Sequence, residues 1–257
     1  NLATVSLGPE FRRGALDILP ITDQVLLREG GEPLDDVERG NLGWSNELVR
    51  HVIEIKNIAP VPALTGLAEA FQGEVGAINA ILAAHEACLL PGAMHPWMDP
   101  HRETVLWPFG SNRIYQAYDR IFDCRGHGWA NLQSTHLNLA FQGDEEFARL
   151  HGAIRLLLPI LPGLAASSPF AEGRASGMHD TRLHYYRHNQ ARVPSIAGLV
   201  IPEQIKSRRE YVERIHQRIF ADIAPHDPEN ILRHEWLNSR GAIARFERSA
   251  IEIRVLD

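Results

Sequence analysis

Cysteine is scarce: only Cys88 and Cys124 occur in 257 residues, far apart and in no metal-binding or redox spacing. That excludes a disulfide scaffold and suits a reducing cytosol with two free thiols. Long apolar runs are lacking too. The longest, residues 154–166, contains Arg155 and is broken by Pro159 and Pro162, so it is too short to span a bilayer. The opening residues, NLATVSLGPEF, lack the basic segment and apolar run of a signal peptide. Positive charge is not in excess either. Against 26 Lys and Arg stand 32 Asp and Glu, a net charge of −6, which gives no global field for nucleic acid or an anionic membrane. No GxxxxGK[ST] loop, GxGxxG turn after a strand, HExxH helix or CxxC pair is present, so the phosphate-loop and zinc classes that those motifs define are not read here.

What is present is an ordinary globular composition, 44% apolar and 23% charged, with no repeat and no linker-like segment. The expectation is one domain over residues 1–257. Period-two patterns predict strands at about 3–7, 49–56, 128–140 and 249–256. Helical patterns lie between them. Pro62 is placed in the first turn of a helix running to Cys88, with Leu64, Leu67, Phe71, Val75, Ile78 and Leu82 on its apolar face. Ser111 is a candidate cap for the helix that follows it, and Asp144 for one running to Leu158. An amphipathic helix is expected over 203–221, and Asp227-Pro228 is read as opening another. Long connections between two-faced strands favour an α+β fold: a largely antiparallel sheet, helices packed on one face and the other face open to a ligand.

Alternate strand residues share a face. Glu54 and Lys56 then lie together opposite Ile53 and Ile55; His136 and Asn138 oppose Leu137 and Leu139; Glu252 and Arg254 oppose Ile251, Ile253 and Val255. Glu10 ends the first strand. Taken singly, each is what a solvated sheet face carries. As a set, flanked closely by Ile, Val and Leu, they suggest a covered sheet whose carboxylates need partners, and hard cations such as Mg²⁺ take carboxylate oxygens.

Six segments in order, GPEF, VIEIK, GAMHP, HGWANLQSTHLNL, LAASSPFAEG and IEIRVLD, resemble the glutamate–cysteine ligase family, in particular its bacterial carboxylate–amine ligase branch. The resemblance implies a fold like the catalytic domain of glutamine synthetase, with an antiparallel sheet curved around the active site. It implies an enzyme that uses ATP with Mg²⁺ or Mn²⁺ to phosphorylate the γ-carboxylate of glutamate, after which an amine such as that of cysteine displaces phosphate. By position, Glu10, Glu54, His136 and Glu252 resemble the family's metal ligands and Arg254 its phosphate-contacting cation, which serves both catalysis and ATP binding. Arg182, in the Arg- and His-rich segment after SSPF, is the second catalytic candidate. Asn138, Arg174 and His95 are the substrate-binding candidates; His127 is read as a supporting residue, and Trp129 and Asn131 as lying on the strand face opposite His136. The implied partners are small molecules, with neither nucleic acid nor membrane, in the cytoplasm.

The sequence departs from the family's pattern twice. Glu10-Phe11-Arg12 lacks the second acid of the usual E-x-E, and family members continue past the EIR strand, so a domain incomplete at its C-terminus is expected. The lost acid also fits a catalytically silent relative that binds an amino acid or nucleotide.

Overall fold

The computed structural model describes residues 1–6, 16–27 and 31–257. Their contacts divide the chain into two compact units. One comprises 1–115, 125–133 and 170–174; the other comprises 116–124, 134–169 and 175–257.

The first unit is built on a five-stranded antiparallel sheet. Its strands are β1 (Leu2–Ser6), β2 (Asp36–Arg39), β3 (Leu42–Asn46), β4 (Val52–Asn57) and β5 (Ala87–Leu90), in the order β2-β3-β4-β1-β5. Register sets its faces. Trp44 pairs with Ile55, Leu2 with Ile53 and Thr4 with Leu89, so one face gathers Trp44, Ile53 and Leu89. Helix α1 (Leu67–Leu82) closes that face with Ile78 and Leu82, both fully buried in the same apolar cluster. On the opposite face Ser45 pairs with Glu54 and Gly43 with Lys56.

Helix α1 starts five residues later than Pro62 suggests. Gly66 sits at φ +78°, a left-handed conformation that no α-helix continues through, and Leu64 before it is exposed. The expected run to Cys88 also stops early. A tight turn ends at Glu86 (φ 52°), and Cys88 lies on β5 opposite Val5. Helices α2 (Pro100–Glu103), α3 (Asn112–Phe122) and the single turn α4 (His127–Ala130) follow. Ser111 precedes α3 as expected; its carbonyl accepts from the Ile114 N–H and its hydroxyl donates to Asp35 at 2.7 Å. The turn α4 overturns the strand reading of 128–134: only β6 (Thr135–Ala140) of that stretch is extended.

The second unit holds an antiparallel three-stranded sheet in the order β6-β10-β9. After β6 come α5 (Gly143–Leu157) and α6 (Leu161–Ala165), separated at Pro159. Asp144 lies inside the first turn of α5 rather than at its cap, and its carboxylate accepts from the Arg208 N–H at 2.9 Å. The two-residue strands β7 (Phe170–Ala171) and β8 (Arg174–Ala175) precede α7 (Thr181–Tyr186) along the chain, with residues 170–174 belonging to the first unit. The expected 203–221 helix begins at α8 (Arg208–Tyr211), where the Ser207 hydroxyl caps the Glu210 N–H, and runs through a π turn into α9 (Gln217–Ile223). Asp227-Pro228 opens a turn, not a helix: the Asp227 carboxylate accepts from the N–H groups of Ile231 and Leu232. Strands β9 (Ala242–Arg245) and β10 (Ala250–Leu256) form the closing hairpin.

Both units are antiparallel sheets with helices, and the fold class is α+β. No helix among the described residues is long and apolar enough to cross a membrane. Both cysteines are free thiols.

Three deeply buried histidines give the fold an acid limit. His51 lies in the first unit; His151 and His216 lie in the second, against the rings of Phe147, Tyr211 and Phe246. Burial pushes each imidazole down to about 4 from 6.5. Unfolded, each takes up a proton once the pH falls below about 6.5; folded, each stays neutral to about pH 4. Their stabilisation is therefore complete above that upper value and drains between the two, by roughly 3 kcal/mol per histidine. Urea midpoints measured at pH 7 and at pH 4.5 should fall steeply; equal midpoints would refute the assignment.

Candidate functional site

The sequence-derived candidates fall in both units. Glu10 lies outside the described residues. Glu54, on the polar face of β4, is half-buried and accepts a hydrogen bond from the Ser45 hydroxyl across the strand pair at 2.9 Å. Beside it Lys56 pairs with Asp36.

His95 is fully buried in the same unit. The Trp97 N–H donates to its Nδ1 at 3.3 Å, which leaves the proton on Nε2, donated to the Leu16 carbonyl at 2.6 Å. Asn131 locks the segment. Its Oδ1 accepts from the His95 N–H, and its Nδ2 donates to the His95 carbonyl and to His127 Nδ1. His95 thus has the local hydrogen bonding of a structural loop residue, with both ring nitrogens engaged. The reading of Trp129 and Asn131 as strand residues opposite His136 fails with α4: the side-chain amide of Asn131 is spent on the two histidine segments. Arg174 is exposed and pairs with Glu172 at 2.9 Å.

The second unit brings three candidates together. In the β6–β10 pairing Glu252 lies opposite Asn138 and Ile253 opposite Leu137, but the next pair is Leu256 with Thr135. Two steps on β6 match three on β10, a bulge with one extra residue, and Arg254 sits in it. The result is a tight constellation. His136 Nδ1 is 3.5 Å from Glu252 Oε1, and Arg254 Nη1 is 3.4 Å from the same oxygen. His136 Nε2 lies 2.9 Å from the Ser134 hydroxyl. Asn138 is half-buried on the same strand.

Sequence reasoning missed Arg245. It ends β9 and donates from Nη1 to Glu252 Oε2 at 2.8 Å. The segment AIAR was too short to read as a strand, so the alternation that puts Arg245 beside Glu252 stayed hidden.

Charge states follow from these neighbours. Burial alone would raise the Glu252 carboxyl, but the guanidiniums of Arg254 and Arg245 outweigh it and hold the group below the usual carboxylate value. Burial, reinforced by Arg254, pushes the His136 imidazole down to about 3.

Arg182 is placed differently from the expectation of a substrate-facing guanidinium. It is 1% exposed, its Nε donates to Asp257 Oδ1 at 2.6 Å, and its Nη2 donates to the Arg254 carbonyl at 3.4 Å. Asp257 also accepts from the Ser167 N–H and the Ser168 hydroxyl, both at 2.8 Å. The SSP segment, the start of α7 and the end of β10 are thereby joined through one carboxylate.

A neutral imidazole and an ionised carboxylate 3.5 Å apart are in the protonation states that a divalent cation requires of its ligands. The donor chemistry of His136 and Glu252 therefore fits a metal. No group of three or more acidic, histidine or cysteine side chains disposed to hold a metal occurs among the described residues.

The comparisons with known proteins bear on the family. An uncharacterized protein of Archaeoglobus fulgidus is 38% identical over 255 residues, covering 98% of this chain and 68% of that protein. The model of glutamate-cysteine ligase family 2 matches residues 11–257, which takes in the strands bearing Glu54, His136 and Glu252. By that near-complete match, the chain belongs to glutamate–cysteine ligase family 2.

Proposed function

We propose that the chain is an ATP-dependent carboxylate–amine ligase of the glutamate–cysteine type. Membership in the family implies a ligase acting on small molecules, with ATP and metal dependence in general. The observation that carries the finer reading is the strand-borne set His136, Glu252 and Arg254, in mutual reach around one carboxylate oxygen. In this reading the γ-carboxylate of glutamate attacks the terminal phosphorus of ATP, giving an acyl phosphate and ADP. The amine nitrogen then attacks the acyl carbon, the C–O bond to phosphate breaks, and an amide and inorganic phosphate leave.

Making an acyl phosphate crowds negative oxygens together, and the protein's contribution is positioning and charge neutralisation. Arg254 suits the transferring phosphoryl group, because its planar fork can span two oxygens. His136 and Glu252 are the proposed holders, in the second unit, of Mg²⁺ or Mn²⁺, which when bound would supply further positive charge to the phosphoryl oxygens. Glu10 and Glu54 keep, as a proposal, the metal-ligand role that the family resemblance gives them. Asn138 and Arg174 are proposed substrate contacts. Arg182, engaged in buried hydrogen bonds, is proposed to support the site through the Arg254 carbonyl, and His95 is proposed to hold the GAMHP turn of the first unit. The reading includes a glutamine synthetase-like arrangement, a single catalytic-type domain and a cytoplasmic location.

The test is incubation of the protein with ATP, Mg²⁺, L-glutamate and a panel of amines, following phosphate. Release that requires both glutamate and an amine is expected. Metal-dependent cleavage without ATP would overturn the reading. Binding of ATP or glutamate with no turnover would favour the silent relative, which the missing acid after Glu10 also fits.

A further inference from the structure

We propose that Arg245 is a positioning residue: by bridging Glu235 and Glu252, it fixes the Glu252 carboxylate so that its Oε1 edge faces His136 and Arg254. The inference rests on the ligase reading, which gives the orientation of Glu252 its use.

The two oxygens of a carboxylate are equivalent, so what its partners set is the tilt of the plane they define. In Glu252 each oxygen has its own partners. Arg245 Nη1 donates to Oε2 at 2.8 Å, which leaves Oε1 to His136 at 3.5 Å and Arg254 at 3.4 Å. Arg245 is itself held from its other side, its Nε donating to Glu235 Oε1 at 3.3 Å. Glu235 in turn is pinned to the backbone, because its Oε2 accepts from the Phe246 N–H at 3.0 Å, directly after Arg245 in the chain. The side chains are nearly buried: 8% of Glu235, 11% of Arg245 and 6% of Glu252 is exposed. Acid, guanidinium and acid thus form a rigid spacer from the turn at 235–237 to the middle of β10. Two different nitrogens of one planar group make the bridge, which a lysine ammonium would not reproduce.

Charge and orientation predict opposite outcomes for a bound cation, and this makes the proposal decidable. If Arg245 acted only through its field, its removal would delete a positive charge beside Glu252 and tighten cation binding. If it positions Glu252, its removal should weaken cation binding about 10–100-fold, as the loss of groups that orient metal ligands does. The probe is Mn²⁺ alone, with free ion measured by electron paramagnetic resonance, on the wild-type chain and on R245M, R245K and R245M/E235Q. The double substitution removes the carboxylate that R245M would leave buried and unpaired, and thermal melts of each variant separate unfolding from lost affinity.

Weakened Mn²⁺ binding in R245M and in the folded double variant, with little recovery in R245K, is expected. Tighter or unchanged binding overturns the proposal, as does a wild-type chain that binds no Mn²⁺. The phosphate assay separates the two readings. Weakened Mn²⁺ binding beside an inactive wild type removes the ligase reading and leaves the positioning role. An active wild type whose Mn²⁺ affinity ignores R245M removes the positioning role alone.

Discussion

Arg254→Ala is expected to lower glutamate- and amine-dependent phosphate release by roughly 10³-fold, the scale on which an arginine stabilises a transferring phosphoryl group. The fold should survive the change. Glu252 keeps its charge-assisted bond from Arg245 at 2.8 Å, so no carboxylate is left buried without a partner. Nor does the backbone depend on the guanidinium: Arg254 donates its N–H to the Gly241 carbonyl and Arg182 reaches the Arg254 carbonyl, contacts that any residue at 254 would make. A melting temperature within a few degrees of wild type, together with the lost turnover, is the expected pair of results. Arg254→Lys should recover only a small part of the rate, since it restores a point charge without the planar fork. Activity within threefold of wild type in the alanine variant would remove Arg254 from the chemistry.

The largest structural effect is expected far from that constellation, at Arg240. Its guanidinium is 2% exposed and donates in five directions: twice to Glu203 at 2.7 Å, and to the Ser195 carbonyl, the Ile196 carbonyl and Asn238 Oδ1. The backbone has been shaped to admit it. Gly198 sits at φ +56°, and a Cβ there would approach the guanidinium carbon to 3.0 Å. Arg240→Ala leaves the Ser195 carbonyl without its donor. It takes one bond each from the Ile196 carbonyl, which keeps the Ser239 N–H, and from Asn238 Oδ1, which keeps the N–H of residue 240. It also strips Glu203 of its ion pair and opens a cavity, and together these losses should cost about 3–5 kcal/mol of unfolding free energy. Glu203→Ala should cost clearly less, because that carboxylate is 39% exposed and its removal leaves the other three acceptors in place. Urea denaturation of the two variants checks the order. Equal losses would show that the ion pair, and not the capture of the 195–196 carbonyls, is what holds the segment.

Much of the site's scaffold was legible because alternation is a local property. Ile251, Glu252, Ile253 and Val255 announce a strand whatever lies beside it, and β4 and the second half of 128–140 do the same. The first half failed because GWANLQ alternates only by composition. There the side chain of Asn131 does the work of a backbone ladder, satisfying His95 and His127 from within a turn. Asp227 misled for a related reason, since a residue that caps helices also closes turns.

The partners of the candidate residues were out of reach for a different reason. That Arg245 meets Glu252 depends on the hairpin register, which pairs Ala250 with Arg245, and no window of sequence states a register. That Arg182 turns inward depends on Asp257, seventy-five residues away along the chain.

Strand β10 lies between β6 and β9. A middle strand gives up its amides to solvent only when its sheet comes apart, whereas an edge strand or a loop frays on its own. Glu252, whose backbone is flanked by Asn138 on one side and Ile243 on the other, therefore belongs to the slowest-exchanging part of its unit. Its backbone has no local melting step of its own: a population in which residue 252 has frayed has also lost the three-stranded sheet.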